Sequence, residues 1–111
     1  MRGKRVLCYG CGDSKDTVLL ALMGAEVWAI DLSEQALRTQ QLYARANGIE
    51  ERMHLVCCAA EALPFAPASF DTVFEVAILH HLPDSLPAVA RHVRAVVKAD
   101  GQALFSEPIA F

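Results

Sequence analysis

The chain changes hydrophobic period again and again, and this alternation limits its fold more than any other feature. "KRVLCYG" is a short apolar run that ends in glycines, and "KDTVLLALMG" follows as an apolar helix closed by Gly24. "AEVWAID" reads as a second strand, after which Ser33 stands at an N-cap position and opens the helix "EQALRTQQLYARANG". "RMHLVCC" is a third strand, and "AAEALPFAPASF" a loop, because Pro64, Pro67 and Ser69 resist regular structure. "DTVFEVAIL" is a fourth strand. From Asp84 to Lys98, Leu86, Val89, Val93, Val96 and Val97 share one helical face, Arg91, Arg94 and Lys98 the other, and Gly101 ends the segment. "QALFSEP" is a fifth strand. Strands and helices alternating at this spacing predict right-handed βαβ units: an α/β fold, an open parallel sheet of about five strands with helices on both faces.

A length of 111 residues points to one domain, and 54% hydrophobic residues suffice for one core. The net charge of −3 provides no basic face for a nucleic-acid backbone, so no nucleic-acid partner is expected. The run from Val18 to Ala25 is cut by Glu26, so no membrane span is expected. The opening "MRGKRV" lacks a signal-peptide core, and the expected setting is cytoplasmic. Cys8, Cys11, Cys57 and Cys58 form no disulfide framework and read as reduced, partly buried thiols.

The turn "CYGCG" admits several readings. Cys8 and Cys11 have redox spacing, but Cys8 lies inside the strand, whereas a reactive pair needs its first thiol at a helix start. A zinc site would need two further ligands at a workable spacing, and no cluster suggests a divalent metal. The P-loop pattern is absent, and in G-x-G-x-x-G the third glycine position holds Lys15. The context is more informative. The turn follows a strand, opens a helix, and precedes Asp31 at the end of the next strand, where an acid accepts hydrogen bonds from ribose hydroxyls. A cofactor turn is one reading; a tight turn plus an Asp cap on the next helix is the other.

"VLCYGCG", "VWAIDLSEQAL" and "AEALPFAPASFDTVFEVAILHHLPD" together resemble the class I S-adenosylmethionine-dependent methyltransferases, in the small-molecule group with an LPF…SFD…LHHLPD pattern. The resemblance covers roughly residues 5–107. It implies a Rossmann-like sheet and a single S-adenosylmethionine-binding core domain over residues 1–111 that moves a methyl group to a small-molecule acceptor. It places Gly10, Cys11 and Gly12 under the methionine portion of the cofactor, Asp31 on the ribose and Leu32 on the adenine. Ala60 and Glu61 fall at the adenine edge, and Glu75 and Val76 at the amino-acid end. His80 and His81 border the acceptor pocket.

Methyl transfer demands alignment first, and a base only when the acceptor must lose a proton. His81 is the candidate base and His80 the second; ending a strand and capping the next helix is the competing role for both. Glu75 has two readings as well, a ligand for the cofactor's ammonium or a solvated strand-end residue. His54 and His92 read as surface or structural residues, and Trp28 as core.

The chain departs from the family at Cys8, where an acid is usual, at Ser14, where a third glycine is usual, and at Ala59, where an aspartate is usual. Each lost hydrogen bond is worth about 0.5–1.5 kcal/mol if neutral. The segment before the first strand and the usual last two strands are missing, so the domain is expected to be truncated at both ends. The open edge this leaves suits self-association or a partner chain. A non-catalytic methyltransferase-like binding or partner domain with weakened cofactor contacts is therefore the alternative function, and a thiol-based or other nucleotide function the third.

Overall fold

The computed structural model of the chain describes residues 2–12, 14–59, 63–76 and 86–106. Its elements run β1 (Arg5–Tyr9), α1 (Asp16–Leu22), β2 (Glu26–Asp31), α2 (Glu34–Ala46), β3 (Met53–Cys57), β4 (Phe70–Val76), α3 (Leu86–Val96) and β5 (Val97–Ser106). A single 3₁₀ turn, Glu50–Arg52, leads into β3; no sequence signal marked it. Among the described residues no helix joins β3 to β4, in line with the prolines there.

The five strands form one sheet in the order β3-β2-β1-β4-β5, and every neighbouring pair is parallel. The order reverses at β1, which has β2 on one side and β4 on the other. In such a sheet the crevice for a ligand opens beyond the carboxyl ends of the strands, at the point of reversal.

β1 reads as an unbroken apolar run because both of its faces are covered. Val6 and Cys8 point into a core shared with Val18 and Ala21 of α1 and Ala44 of α2. Leu7 and Tyr9 point into a second core with Ile30, Phe70 and Val73, closed by Val89, Val93 and Val96 of α3. The apolar face read from the sequence of α3 is thus the buried one, with Arg91 and Arg94 exposed. The Ser33 hydroxyl caps α2 by accepting a hydrogen bond from the Ala36 N–H at 3.2 Å. Helices α1 and α2 stop just ahead of Gly24 and Gly48, as expected.

The boundary between α3 and β5 corrects the sequence reading. The helix ends at Val96 rather than continuing through Lys98, and Gly101 lies inside β5 rather than ending a helix. Val97 pairs with Phe70 and Gln102 with Thr72, so β5 takes five steps where β4 takes two, and the extra residues bulge. Pairing with β4 overrides the helical period here: the β-branched Val97 suits a strand, and the Lys98 ammonium reaches the Asp71 carboxylate at 3.1 Å. Gly101 is needed where the bulge closes, since a Cβ there would stand 2.6 Å from the Asp71 carbonyl oxygen.

Trp28 is half-buried. It stacks on His54 with ring centroids 4.4 Å apart and meets Phe70 edge-on. His54 in turn lies 2.9 Å from a Glu26 carboxylate oxygen, which gives it the structural role expected. No helix among the described residues is long and apolar enough to cross a membrane.

Candidate functional site

The turn after β1 is built by its backbone. The Gly10 N–H donates to the Ile30 carbonyl at 3.0 Å, so the chain stays tied to β2 as it leaves the sheet. Gly10 and Gly12 have φ of +58° and +49°, a region costly for residues with a Cβ. A Cβ at Gly12 would approach nothing closer than the Gly10 carbonyl oxygen at 3.9 Å. The turn therefore leaves open space beside Gly12, and the glycine serves both conformation and close approach.

Asp31, the last residue of β2, is joined to this turn. Its Oδ2 accepts from the Gly12 N–H at 3.2 Å, and its Oδ1 from the Ser33 N–H at 2.9 Å. One oxygen of this carboxylate thus orders the entry to α2, and the other meets the glycine turn. Leu32 follows with 69% of its surface exposed, an apolar platform beside that carboxylate. The Cys57 thiol, at the end of β3, lies 3.6 Å from the Leu32 carbonyl oxygen.

One residue of this site escaped the sequence reading. Gln40 of α2 is fully buried, and its amide donates to the carbonyls of Gly12 at 3.1 Å and Ser14 at 2.8 Å. Its carbonyl accepts from the Thr17 hydroxyl. The only clue in the sequence was its position on the otherwise apolar inner stripe of α2, three residues after Leu37 and four before Ala44.

The cysteines of the turn are not a reactive pair. Cys8 and Cys11 are 2% and 1% exposed, and burial pushes each thiol up to about 12, so both stay protonated at neutral pH. No group of three or more metal-ligating side chains occurs among the described residues. Glu75 corrects one of its two readings: it is fully buried, facing the same side of the sheet as its register partner Tyr9, and is not a solvated strand-end residue. Val76 is the last residue of β4, in register with Ser106. Ala60, Glu61, His80 and His81 lie outside the described residues.

The candidate residues Gly10, Cys11, Gly12, Asp31, Leu32, Glu75 and Val76 therefore collect at the carboxyl ends of β1, β2 and β4, around the reversal in strand order. An anchored glycine turn, a carboxylate at the next strand end and an exposed aliphatic side chain suit a ligand with a ribose and a flat ring.

Comparisons with known proteins agree with this geometry. Residues 6–101 match a family described as methyltransferase domain. A ubiquinone biosynthesis O-methyltransferase of Neisseria meningitidis serogroup C is 39% identical over 108 residues, which are 96% of this chain and 44% of that protein. The chain thus spans less than half the length of the curated relatives it matches. Among solved structures, the PH0226 protein of Pyrococcus horikoshii OT3 superposes with a TM-score of 0.85 at 30% identity, over 95% of this chain and 50% of that one. The YcgJ protein of Bacillus subtilis gives 0.84 at 27% identity, over 92% and 43%.

Proposed function

The chain belongs to the methyltransferase domain family, and from that premise we propose that it binds S-adenosylmethionine across the carboxyl ends of its central strands and directs methyl transfer to a small-molecule acceptor. The observation that carries this reading is the contact between the Gly12 N–H and the Asp31 carboxylate, which sets a close-approach turn and a ribose-binding acid side by side.

In this reading the backbone of Gly10, Cys11 and Gly12 supports the methionine portion of the cofactor. The free lone pairs of Asp31 accept from the ribose hydroxyls, and Leu32 packs against the adenine. Ala60 and Glu61 flank the adenine edge. Glu75, a buried carboxylate at the end of a central strand, takes the ammonium of the amino-acid end, with Val76 beside it. When bound, the cofactor supplies a methyl group already activated on a sulfonium sulfur. What the protein adds is alignment of acceptor, methyl carbon and sulfur, together with exclusion of water. The Neisseria relative is named for O-methylation, and oxygen is the acceptor atom we propose here. A hydroxyl acceptor must lose its proton, a task assigned to His81 with His80 as the second candidate.

Titration calorimetry with S-adenosylmethionine and S-adenosylhomocysteine tests the cofactor. Micromolar binding is expected. Asp31→Ala should weaken it about 10- to 100-fold, as loss of a charged hydrogen-bond acceptor predicts. A folded chain that binds neither compound at millimolar concentration overturns the proposal and favours a non-catalytic partner domain.

A further inference from the structure

Tyr9 is the last residue of β1, and its side chain is completely buried on the α3 side of the sheet. Its hydroxyl has no hydrogen-bond partner among the described residues. Buried phenols normally find a partner, because an unpaired hydroxyl gives up its hydration for nothing in return. An orphaned hydroxyl at the end of a central strand, one residue before a ligand-binding turn, is therefore a pointer to a ligand.

The surroundings indicate which part of the ligand. Tyr9 is in register with Ile30 on β2, and its cluster packs against Cys58, just beyond the end of β3. Cys58 is near enough to the phenol to disfavour its ionisation, in addition to the larger effect of burial. Tyr9 is also in register with Glu75 on β4, and it is the packing on Cys58 that extends its cluster toward the side where β2 and β3 end, the side of Asp31 and Leu32. Among the described residues of this corner, the Asp31 carboxylate is engaged by Gly12 and Ser33. Cys57, Cys58 and Ala59 bring two thiols and a methyl group and no carboxylate or amide. A purine carrying an exocyclic amine needs an acceptor there.

Resting on the cofactor reading above, we propose that the Tyr9 hydroxyl accepts a hydrogen bond from the exocyclic amine of the cofactor's adenine. The adenine amine is then recognised from the end of β1 and not from position 59, where this chain has alanine. A phenol oxygen accepts while its own proton remains free to donate, so it tolerates a buried site better than a carboxylate would.

The test compares S-adenosylhomocysteine with its analogue bearing an unsubstituted purine, by calorimetry on the wild-type chain and on Tyr9→Phe. The substitution removes one oxygen and keeps the ring, so the ligand-free variant should melt at the same temperature as wild type or higher. In the wild type, loss of the amine should weaken binding about 2- to 10-fold, the worth of one neutral hydrogen bond. Tyr9→Phe should weaken S-adenosylhomocysteine by the same factor and bind the two compounds equally. That loss of discrimination is an effect a merely structural tyrosine cannot produce. An amine worth as much in Tyr9→Phe as in wild type overturns the inference alone, and so does an amine worth nothing in wild type, a result that needs no variant. Absence of any S-adenosylhomocysteine binding to the wild type overturns the inference and the cofactor reading together.

Discussion

The side-chain amide of Gln40 donates to the backbone carbonyl of Gly12 at 3.1 Å, across 28 positions of sequence. The same amide takes the Ser14 carbonyl at 2.8 Å, and the Gln40 carbonyl takes the Thr17 hydroxyl. Both donors and the acceptor of a fully buried carboxamide are therefore used on one short segment, the turn between β1 and α1. The glycines make that turn possible, while Gln40 determines which of its many conformations is kept. Since Asp31 holds the same turn through the Gly12 N–H, Gly12 is gripped at both its N–H and its carbonyl.

Gln40→Ala should lower the unfolding free energy by about 2–3 kcal/mol, because it leaves several groups unpaired at once. Gln40→Glu should be at least as damaging: a carboxylate still accepts from Thr17 but turns an oxygen toward two carbonyls. Urea unfolding measures both, and calorimetry of S-adenosylhomocysteine should show weaker binding for each. Wild-type stability and affinity in Gln40→Ala would mean that the turn keeps its shape unaided.

Gly12→Ala should separate folding from binding. The left-handed backbone costs an alanine about 1–2 kcal/mol, and the new methyl group meets no atom closer than 3.9 Å, so the fold should survive. The methyl group occupies the space beside the turn, however, and binding should fall by more than the stability loss explains. Thermal melting with and without S-adenosylhomocysteine gives both quantities. Unchanged affinity would show that the cofactor does not pass close to Gly12.

The features legible in the sequence were those written over a few consecutive residues. The alternating periods, Ser33 before α2 and Asp31 after a strand-like run are all local signals, and each matches the structure. Features arising from distant pairing were not legible. Gln40 sits mid-helix, where a glutamine usually faces water, and only the packing of α2 against the β1–α1 turn buries it. Glu75 interrupts the apolar run "VFEVAIL" and leaves a solvent-facing reading open, yet its register with Tyr9 places it in the interior. Val97 and Lys98 extend the helical stripe of α3 without fault, and only β4 draws them into the sheet. In each case a partner far along the chain overrode a sound local pattern.

The four thiols should fall into two classes. At pH 7.5 an alkylating reagent should modify the exposed Cys57 first and Cys58 more slowly, while Cys8 and Cys11 react only after unfolding. Burial raises the Cys58 thiol, and it raises Cys8 and Cys11 to about 12, which leaves little thiolate for attack. Mass spectrometry of peptides from native and unfolded protein reads the order. Rapid modification of Cys8 or Cys11 in the folded chain would revive the thiol reading of "CYGCG".

Asp71 should give the fold an acid-sensitive component. Its Oδ2 accepts from the Arg5 N–H at 2.8 Å and its Oδ1 from the Lys98 ammonium at 3.1 Å, so one carboxylate ties together β1, β4 and β5. The Arg5 N–H foremost, and then Lys98, hold its pKa below the ordinary carboxylate value. Between that lowered value and the unfolded one, about 3.9, the unfolded chain binds more protons than the folded one, so stability rises with pH there. The contribution is complete above about pH 4–5 and is lost as pH falls through the folded value. Asp71→Asn keeps an acceptor for Arg5 but loses the charge. It should cost about 1–2 kcal/mol at pH 7, a charged hydrogen bond discounted for the half-exposed lysine. The gap between the two proteins should close as urea unfolding is repeated at pH 5, 4 and 3. A gap that stays constant over that range would locate the effect in packing or geometry rather than in the charge of Asp71.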